Sequence, residues 1–435
     1  MKRLSVLVFA VAILMTMMSC CAGAEALEPV EKHVTYLTVL TPQQVGYKSM
    51  EMIVEKYQKE VNPGFTMDIQ YIADRPAYLQ KLKTLVASNE MPDMFNIDAE
   101  PYASVLMKEG YLQDIGPTLE KYGLYDVFLA APLAWGCLPS GIQYGVPIDY
   151  SIELFWYNKD MFEKAGAQIP TTFDEFLTTC ETLKNAGFTP ISVSGKEAWP
   201  PLRYLDFVTY RYGHNQFLFD LAQGKQKMSS EIGMKAVNFL KDLGTKGYFQ
   251  TGFASVDYTG ALDYFLGGNA AIHYNGTWEL ESIQGANDEV GGPMENNIGF
   301  FVMPHVNEGD EEVGPADYAA NSTTPIGFAA DKYDEEMERF IDFYARNVSE
   351  IAKGRAFSCS VGGECPFDSE LAIEVFDLMQ NSIGAMNLYD VELDPATNEL
   401  IGKEAVSLAL GDISPEEFAE RIDESIAENA PDFFN

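Results

Sequence analysis

The first hundred residues alternate between runs with strand periodicity and runs with helical periodicity. Apolar and polar residues alternate over 35–40 and 65–72, and a short apolar run follows at 94–97, so three strands are predicted. Apolar residues recur at helical spacing over 48–60 and 78–87, which predicts two intervening helices. This order of strands and helices is typical of a mainly parallel α/β sheet.

A second block of strands and helices begins after Tyr144. Its clearest element is an amphipathic helix over 173–186, for which Thr172 is the expected N-cap and Glu175 its capping-box partner. The other elements predicted are strands at 153–157 and 191–193 and helices at 160–165, 335–352 and 415–428. Two such blocks predict two α/β lobes, and 435 residues suffice for two or three domains.

Residues 1–24 have the features of an export signal peptide. Lys2 and Arg3 precede an apolar run over 4–15, which is shorter than the roughly 20 residues of a membrane span. The box ending in Cys20 resembles a lipoprotein cleavage site, which would make Cys20 a lipidated N-terminus; cleavage after Ala24 would instead release a soluble protein. Both routes place the mature chain outside the cytoplasm, at the outer face of the cytoplasmic membrane or free in the extracytoplasmic space.

The net charge of the chain limits the kinds of molecule that it can bind. The chain carries a formal charge of −36, and because residues 1–24 hold two basic and no acidic residues, the remainder carries −38. Such a charge repels nucleic acid and anionic lipid surfaces and disfavours a phosphate or polycarboxylate ligand. No nucleic-acid partner is therefore expected.

Four cysteines lie beyond the leader region, and two of them are close in sequence. Cys359 and Cys365 flank five residues, and an exported protein can either bridge such a pair or keep both thiols free. No two cysteines have the C-x-x-C spacing, so neither a zinc site nor dithiol chemistry is predicted.

The sequence lacks the common catalytic motifs. Its four histidines are far apart, and it contains no H-E-x-x-H, G-x-S-x-G or G-x-x-x-x-G-K-[ST] segment. With 65 acidic residues, a glycosidase carboxylate pair cannot be recognised by inspection. We therefore expect a protein that is not an enzyme and that carries no cofactor and no metal.

Five blocks occur along the chain in a characteristic order. They are PDMF at 92–95, GVPI at 145–148 with WYNKDMFEKAG at 156–166, PTTFDEF at 170–176, FLGGNAAI at 265–272 followed by Gly276 and Trp278, and IGFFVMP at 298–304. Together they resemble the signatures of the family 1 extracellular solute-binding proteins, the sugar-binding subunits of bacterial ABC importers. The resemblance covers roughly residues 35–350, with Phe173 at a position where the family usually has Trp.

This resemblance implies a periplasmic-binding-protein-like α/β fold, with two lobes around a hinge that the chain crosses three times. By analogy, the crossings fall near 148–152, near 300–303 and after Phe343. The expected domains are a signal peptide at 1–24, lobe 1 at 25–150 plus 302–350, and lobe 2 at 151–301 plus 351–435. The protein is expected to be a monomer.

A sugar site needs flat aromatic faces for the C–H surface of the ring and fixed polar groups for its hydroxyls. The resemblance assigns Trp278 to stacking on the sugar, and Trp199, in a loop after the 191–193 strand, to a similar role. Trp135 lies in a loop before Tyr144 and fits either the site or the core, whereas Trp156 is expected in the core.

Polar groups at the ends of first-lobe strands are the expected partners of the hydroxyls. Asp98 and Glu100 follow the 94–97 strand, Gln43 and Gln44 follow the first strand, and Asp149 lies at the first crossing. Ionised carboxylates form charge-assisted hydrogen bonds, which are roughly twice as strong as neutral ones.

The resulting expectation is an extracytoplasmic carbohydrate-binding subunit that captures a sugar and delivers it to ABC permease subunits. The same fold could bind another solute such as a polyamine, a glycerol derivative or a peptide, and the acidic charge makes a cationic ligand feasible. A glycan sensor or adhesin without transport is a third reading.

Overall fold

A computed structural model describes residues 29–434 except 43, 73–74, 98–99, 139, 198, 289–296, 314–319, 322–323, 354–355 and 383–385. The signal peptide and Cys20 therefore lie outside the described residues. The strands are β1 (Lys32–Thr38), β2 (Phe65–Tyr71), β3 (Met94–Asn96), β4 (Gly145–Val146), β5 (Ser151–Asn158), β6 (Thr189–Ser192), β7 (Ala270–Gly276), β8 (Ile298–Phe301), β9 (Ala320–Asn321) and β10 (Ile326–Phe328).

Helices precede, connect and follow these strands along the chain. They are α1 (Val45–Glu60), α2 (Arg75–Ser88), α3 (Glu100–Lys108), α4 (Gly116–Tyr122), α5 (Ala130–Ala134), α6 (Lys159–Ala165), α7 (Phe173–Asn185), α8 (Trp199–Ala222), α9 (Glu231–Thr245), α10 (Tyr258–Leu266), α11 (Leu280–Asp288), α12 (Glu335–Ala352), α13 (Glu370–Gln380), α14 (Tyr389–Glu392), α15 (Pro395–Leu410) and α16 (Pro415–Phe434). Short 3-10 turns lie at Leu124–Asp126, Phe253–Ser255, Thr277–Glu279 and Ala330–Lys332. No helix in the described ranges is long and apolar enough to cross a membrane.

The first sheet has the strand order β2-β1-β3-β10-β4. β1 pairs in parallel with β2 and β3, while β10 returns antiparallel to β3 and β4. Apolar side chains cover both faces of this sheet, because Val34 and Tyr36 of β1 pack with α1 and α12 while Leu37 packs with α2 and α3. This is the layered arrangement expected when helices flank a parallel sheet.

The second sheet has the strand order β6-β7-β5-β8, with β6 and β7 parallel and β5 antiparallel to both β7 and β8. Along β5, Phe155 faces a cluster built with α7, α8, α9, α15 and α16, while Leu154 and Trp156 face the other way, into the cluster that contains the first-sheet core. Because successive side chains of a strand point to opposite faces, β5 contributes side chains to both cores. Trp156 is fully buried, as predicted.

The chain passes between the sheets near 147–150 and again after β8, close to two of the crossings that the family resemblance implied, whereas its third passage lies beyond α13 and well past Phe343. β4 leads through 147–150 into β5, and β8 leads back towards β10, while β9 pairs with the start of β5. On the C-terminal side, α13 packs with the first-sheet core and α14, α15 and α16 pack with the second. The lobe limits 25–150 plus 302–350 and 151–301 plus 351–435 remain a prediction, which limited proteolysis would test.

Local capping follows the sequence. Thr172 accepts a hydrogen bond from the backbone N–H of Glu175 at 3.3 Å, so it caps α7 as predicted. The Glu175 carboxylate accepts from the backbone N–H of Thr171 at 2.7 Å, and hydrogen bonds from the Thr171 hydroxyl and from the backbone of Thr171 and Thr172 lower its pKa. Asn158 likewise caps α6 through the N–H of Met161, which gives the Tyr-Asn-Lys segment a structural role.

Candidate binding cleft

A cleft with a volume of about 590 Å³ lies where the two lobes meet. Its first-lobe side is formed after β1 by Leu40, Gln44, Val45 and Gly46, and its second-lobe side by the segment after β7 together with Tyr258. Asp149 of the β4–β5 connection, Phe357 and Phe367 also line it. Ligands of open α/β sheets bind at the carboxyl ends of strands, and β1 and β7 both end here.

Trp278 projects into this cleft from the 3-10 turn that follows β7. The side chain is 43% exposed, which is unusual for so large an apolar group. Its indole N–H donates a hydrogen bond to the Tyr258 hydroxyl at 2.7 Å. The ring lies against Gly276, where a Cβ would overlap three ring carbons, so the glycine makes room for the tryptophan.

Trp199 continues this aromatic surface. It is the first residue of α8, rather than part of a loop as the sequence suggested, and it is half-buried. Its ring centre lies 6.3 Å from that of Tyr258. Trp199, Tyr258 and Trp278 therefore form a connected series of side chains, which we term the aromatic row.

A buried ionic cluster supports one end of the aromatic row. The guanidinium carbon of Arg203 lies 4.8 Å from the Trp199 ring centre, within the range of a cation–π contact. The same guanidinium binds three carboxylates: Glu153 at 2.7 Å, Asp206 at 3.4 Å and Asp390 at 2.6 Å. Burial raises the pKa of Asp206 well above its usual value, although the nearby Arg203 acts in the opposite direction.

The structure brings three of the sequence-predicted site residues to one cleft: Gln44, Asp149 and Trp278. Gln44 is exposed, and its side-chain oxygen accepts from the backbone N–H of Thr41 at 2.7 Å. The carboxylates among the described lining residues are Asp149 and Glu281, and no lysine or arginine is present in that set. The lining thus suits a neutral or cationic ligand better than an anionic one.

Other predicted site residues have different positions. Gln43 and Asp98 lie outside the described residues, and Glu100 begins α3 with its side chain outside the described set. Trp135 is half-buried at the end of α5, where it packs against the second-lobe core and its carbonyl accepts from the Tyr144 hydroxyl.

Cys359 and Cys365 are both free thiols in the structure. The Cys359 sulfur is buried and faces the carbonyl oxygens of Pro147 and Ile148. The Cys365 sulfur instead lies 3.5 Å from the carbonyl oxygen of Ala372. The two side chains thus contact different neighbours, and two free thiols remain the prediction for the purified protein.

The sequence did not identify Tyr258, Arg203 or the buried residues next to Trp278 as part of the candidate site. Tyr258 was one of 23 tyrosines, without a motif to set it apart. The role of Arg203 depends on its hydrogen bonds to Glu153 and Asp390, which are 50 and 187 positions away in the sequence. Only the fold reveals such distant pairs.

Comparison with known proteins agrees with this architecture. A model of the bacterial extracellular solute-binding proteins matches residues 41–350. The multiple sugar-binding protein of Streptococcus mutans is 24% identical over 341 residues, which cover 75% of this chain and 74% of that protein. A probable sugar-binding periplasmic protein of Mesorhizobium japonicum is 27% identical over 210 residues, and there the chain spans about half of its relative, at 46% of this chain and 48% of that protein.

Solved structures show the same fold. A chitin oligosaccharide binding protein superposes with a TM-score of 0.75 at 22% identity, covering 92% of this chain and 99% of the other. RafE in complex with raffinose gives a TM-score of 0.64 at 19% identity, covering 93% of this chain and all of that one, 100%. With the family match over residues 41–350, these findings identify the chain as a member of the bacterial extracellular solute-binding proteins.

Proposed function

We propose that the protein captures a neutral sugar between its lobes and delivers it unchanged to the transmembrane subunits of an ABC importer. The observation that carries this proposal is the exposed Trp278, held in an inter-lobe cleft as part of the aromatic row. A ring of this kind matches the apolar C–H face of a pyranose. The names of the relatives, which include multiple sugars, chitin oligosaccharide and raffinose, support a sugar as the ligand class.

Polar groups that line the same cleft would bind the hydroxyls. Asp149 and Glu281 offer carboxylate acceptors, and Gln44 offers an amide at the first-lobe edge. Carboxylates bind hydroxyl groups through charge-assisted hydrogen bonds, whereas they repel a uronic acid or a sugar phosphate. A neutral, hydroxyl-rich ligand therefore suits this combination.

Ligand capture is expected to favour lobe closure. The cleft is lined by both lobes, so a ligand that fills it gains contacts with both only when they approach. A ligand shifts such an equilibrium by its differential affinity for the closed form. The closed form would then be the one that the permease recognises.

The test is a calorimetric titration with neutral mono- and oligosaccharides that first raise the melting temperature in a thermal-shift screen. Trp278→Ala should weaken binding of the best sugar by about 2 kcal/mol, or roughly 30-fold in Kd, as expected for a central aromatic contact. Trp199→Ala should also weaken binding, because it removes the neighbouring face of the aromatic row.

A matched control is available in the first lobe. Tyr125 is 43% exposed, like Trp278, but lies on the 3-10 turn Leu124–Asp126. Tyr125→Ala should leave the affinity unchanged. Wild-type affinity in both tryptophan variants would reject the aromatic row as the sugar site, and hydrolysis of a chromogenic glycoside would reject the non-enzymatic reading.

A cationic solute such as a polyamine is the second candidate, and it is favoured by the two carboxylates of the cleft and the formal charge of −36. Membrane attachment through a lipid at Cys20 and a monomeric state are further parts of the proposal. The mass of the mature N-terminal peptide and the mass of the purified protein in solution would test them.

A further inference from the structure

A histidine–glutamate pair lies buried behind Trp278. The side chains of His273 on β7 and Glu279 on the following turn are 3% and 2% exposed, and His273 Nε2 lies 3.1 Å from Glu279 Oε2. The ring of Phe265 stacks on the imidazole with 5.5 Å between ring centres. The pair is therefore closed off from solvent and held in place by the core.

The contacts of His273 determine where its protons are. Nδ1 lies 3.2 Å from the carbonyl oxygen of Ser192 on β6, and a carbonyl only accepts, so Nδ1 carries a proton. Nε2 lies 3.1 Å from Glu279 Oε2 and 3.4 Å from the Asn275 amide nitrogen, which can donate to it. The imidazole is therefore oriented by Ser192 and Asn275 and contacts the buried carboxylate of Glu279.

Tyr258 connects this pair to the cleft. Its hydroxyl oxygen accepts the Trp278 indole N–H at 2.7 Å, which leaves the hydroxyl proton available for another acceptor. Burial, and after it the Glu279 carboxylate, raise the pKa of Tyr258 well above its usual range, so the hydroxyl keeps this proton. His273 and Tyr258 are the neighbours of the Glu279 carboxylate, which otherwise has no hydrogen-bond partner among the described residues.

We propose that His273 and Glu279 are positioning residues of the binding site, which orient Tyr258 and, through its hydroxyl, the ring of Trp278. Neither residue would touch the ligand. The inference rests on the proposed function, since it matters for binding only if Trp278 contacts the sugar. Its chain of contacts runs from the Ser192 carbonyl through His273, Glu279 and Tyr258 to the indole N–H.

The experiment measures the Kd for the best sugar together with the fluorescence of Trp278, obtained by subtracting the spectrum of the matching Trp278→Phe protein. Glu279→Leu and His273→Leu should weaken binding by about tenfold or more and shift the Trp278 emission, because a hydrogen bond to a charged group is lost. Glu279→Gln should restore near wild-type values, since its amide can donate to His273 Nε2 and accept from Tyr258.

A second histidine–glutamate pair, away from the cleft, serves as control. His305 Nδ1 lies 2.9 Å from Glu312, but these side chains are 46% and 28% exposed and lie outside the described lining of the cleft. His305→Leu should change neither the Kd nor the Trp278 emission. Tyr258→Phe removes one oxygen only, so it covers the case in which a leucine variant does not fold; we expect a loss of about fivefold and the same emission shift.

The proposal is overturned if Tyr258→Phe and the folded leucine variants bind as the wild type does with unchanged Trp278 emission. If Trp278→Ala still binds weakly in that case, the positioning role alone is rejected. If Trp278→Ala also binds normally, the proposed sugar contact is rejected with it. Failure of Glu279→Gln to restore binding would likewise exclude the hydrogen-bonded connection.

Discussion

At the scale of single residues, Gly276 is the position where the backbone most directly determines the binding surface. A Cβ at this position would overlap three carbons of the Trp278 ring. We expect Gly276→Ala to displace the indole and weaken sugar binding by about tenfold, intermediate between the wild type and Trp278→Ala. Calorimetry and the Trp278 emission spectrum would measure the effect.

Gly285 provides the control for that substitution. It lies in α11, and a Cβ there has no neighbour within 4 Å. Gly285→Ala should leave affinity unchanged and add about 0.5–1 kcal/mol of stability, because alanine favours a helix over glycine. Equal affinity of Gly276→Ala and the wild type would contradict the steric argument.

The thiols provide a second prediction at this scale. Burial raises the pKa of Cys359 to about 12 and that of buried Cys180 well above its usual value. At pH 8 Cys359 would therefore be almost entirely a thiol, whereas the thiolate is the form that reacts. Alkylation of the native protein should therefore modify half-buried Cys137 and Cys365 first, and Cys180 and Cys359 only after unfolding. Peptide mass mapping checks this order, and a Cys359–Cys365 disulfide in the oxidised protein would contradict it.

Three residues of the cleft could be predicted from the sequence, and their contact with a ligand stays a prediction. Trp278, Asp149 and Gln44 were expected at the site and line one cleft, because family resemblance and strand ends both point to them. His273, Glu279 and Tyr258 were not expected. Their roles depend on contacts between β6, β7 and α10, and the sequence pattern of a strand indicates which face is buried but not which polar partner it meets.

At the scale of elements, α8 connects the aromatic row to the second-lobe core. Its first residue is Trp199, and Arg203 one turn later binds Glu153 of β5 and Asp390 of α14. One guanidinium therefore holds a helix, a strand and a second helix together. Removal of one partner from a buried ionic cluster leaves the others uncompensated.

Arg203→Met should consequently lower the free energy of unfolding by about 3–5 kcal/mol. It should also weaken sugar binding, because the Trp199 ring loses the cation beneath it. Urea unfolding and calorimetry measure the two effects. Arg421→Met is the matched control: Arg421 also binds two carboxylates, Glu404 and Glu417, but is 42% exposed, so little change is expected. Equal stability of both variants would contradict the argument.

Elements with strong periodicity were predictable, and short ones were not. The helix predicted at 335–352 has those bounds in α12. Its apolar residues form a single stripe that packs against α1, and such a stripe is what the sequence pattern detects. β10 has three residues and was missed, although it joins β3 to β4 in the first sheet. Its pairing partners lie about 180 to 230 positions away, where local sequence carries no signal.

At the scale of the whole molecule, the two lobes share more than a hinge. The first-sheet core continues through Leu154 and Trp156 of β5 to the far face of the second sheet, and α3 of the first lobe contacts α14 and α16 of the second. When the lobes open, the contacts of α3 with α14 and α16 must separate, whereas the core around Leu154 and Trp156 of β5 can stay intact. Rotation about the β4–β5 connection satisfies both conditions, which suits a hinge motion.

The net charge separates the two candidate ligand classes. A formal charge of −36, with Asp149 and Glu281 in the cleft, attracts a cation over a distance set by ionic strength. If the ligand is a neutral sugar, its Kd should change by less than about twofold between 50 and 500 mM NaCl, because no net charge is screened on binding. A polyamine should lose about tenfold or more over the same range. Asp149→Asn and Glu281→Gln should reduce that salt dependence without removing Trp278, so a salt-sensitive Kd that weakens in these variants would replace the sugar with a cationic solute.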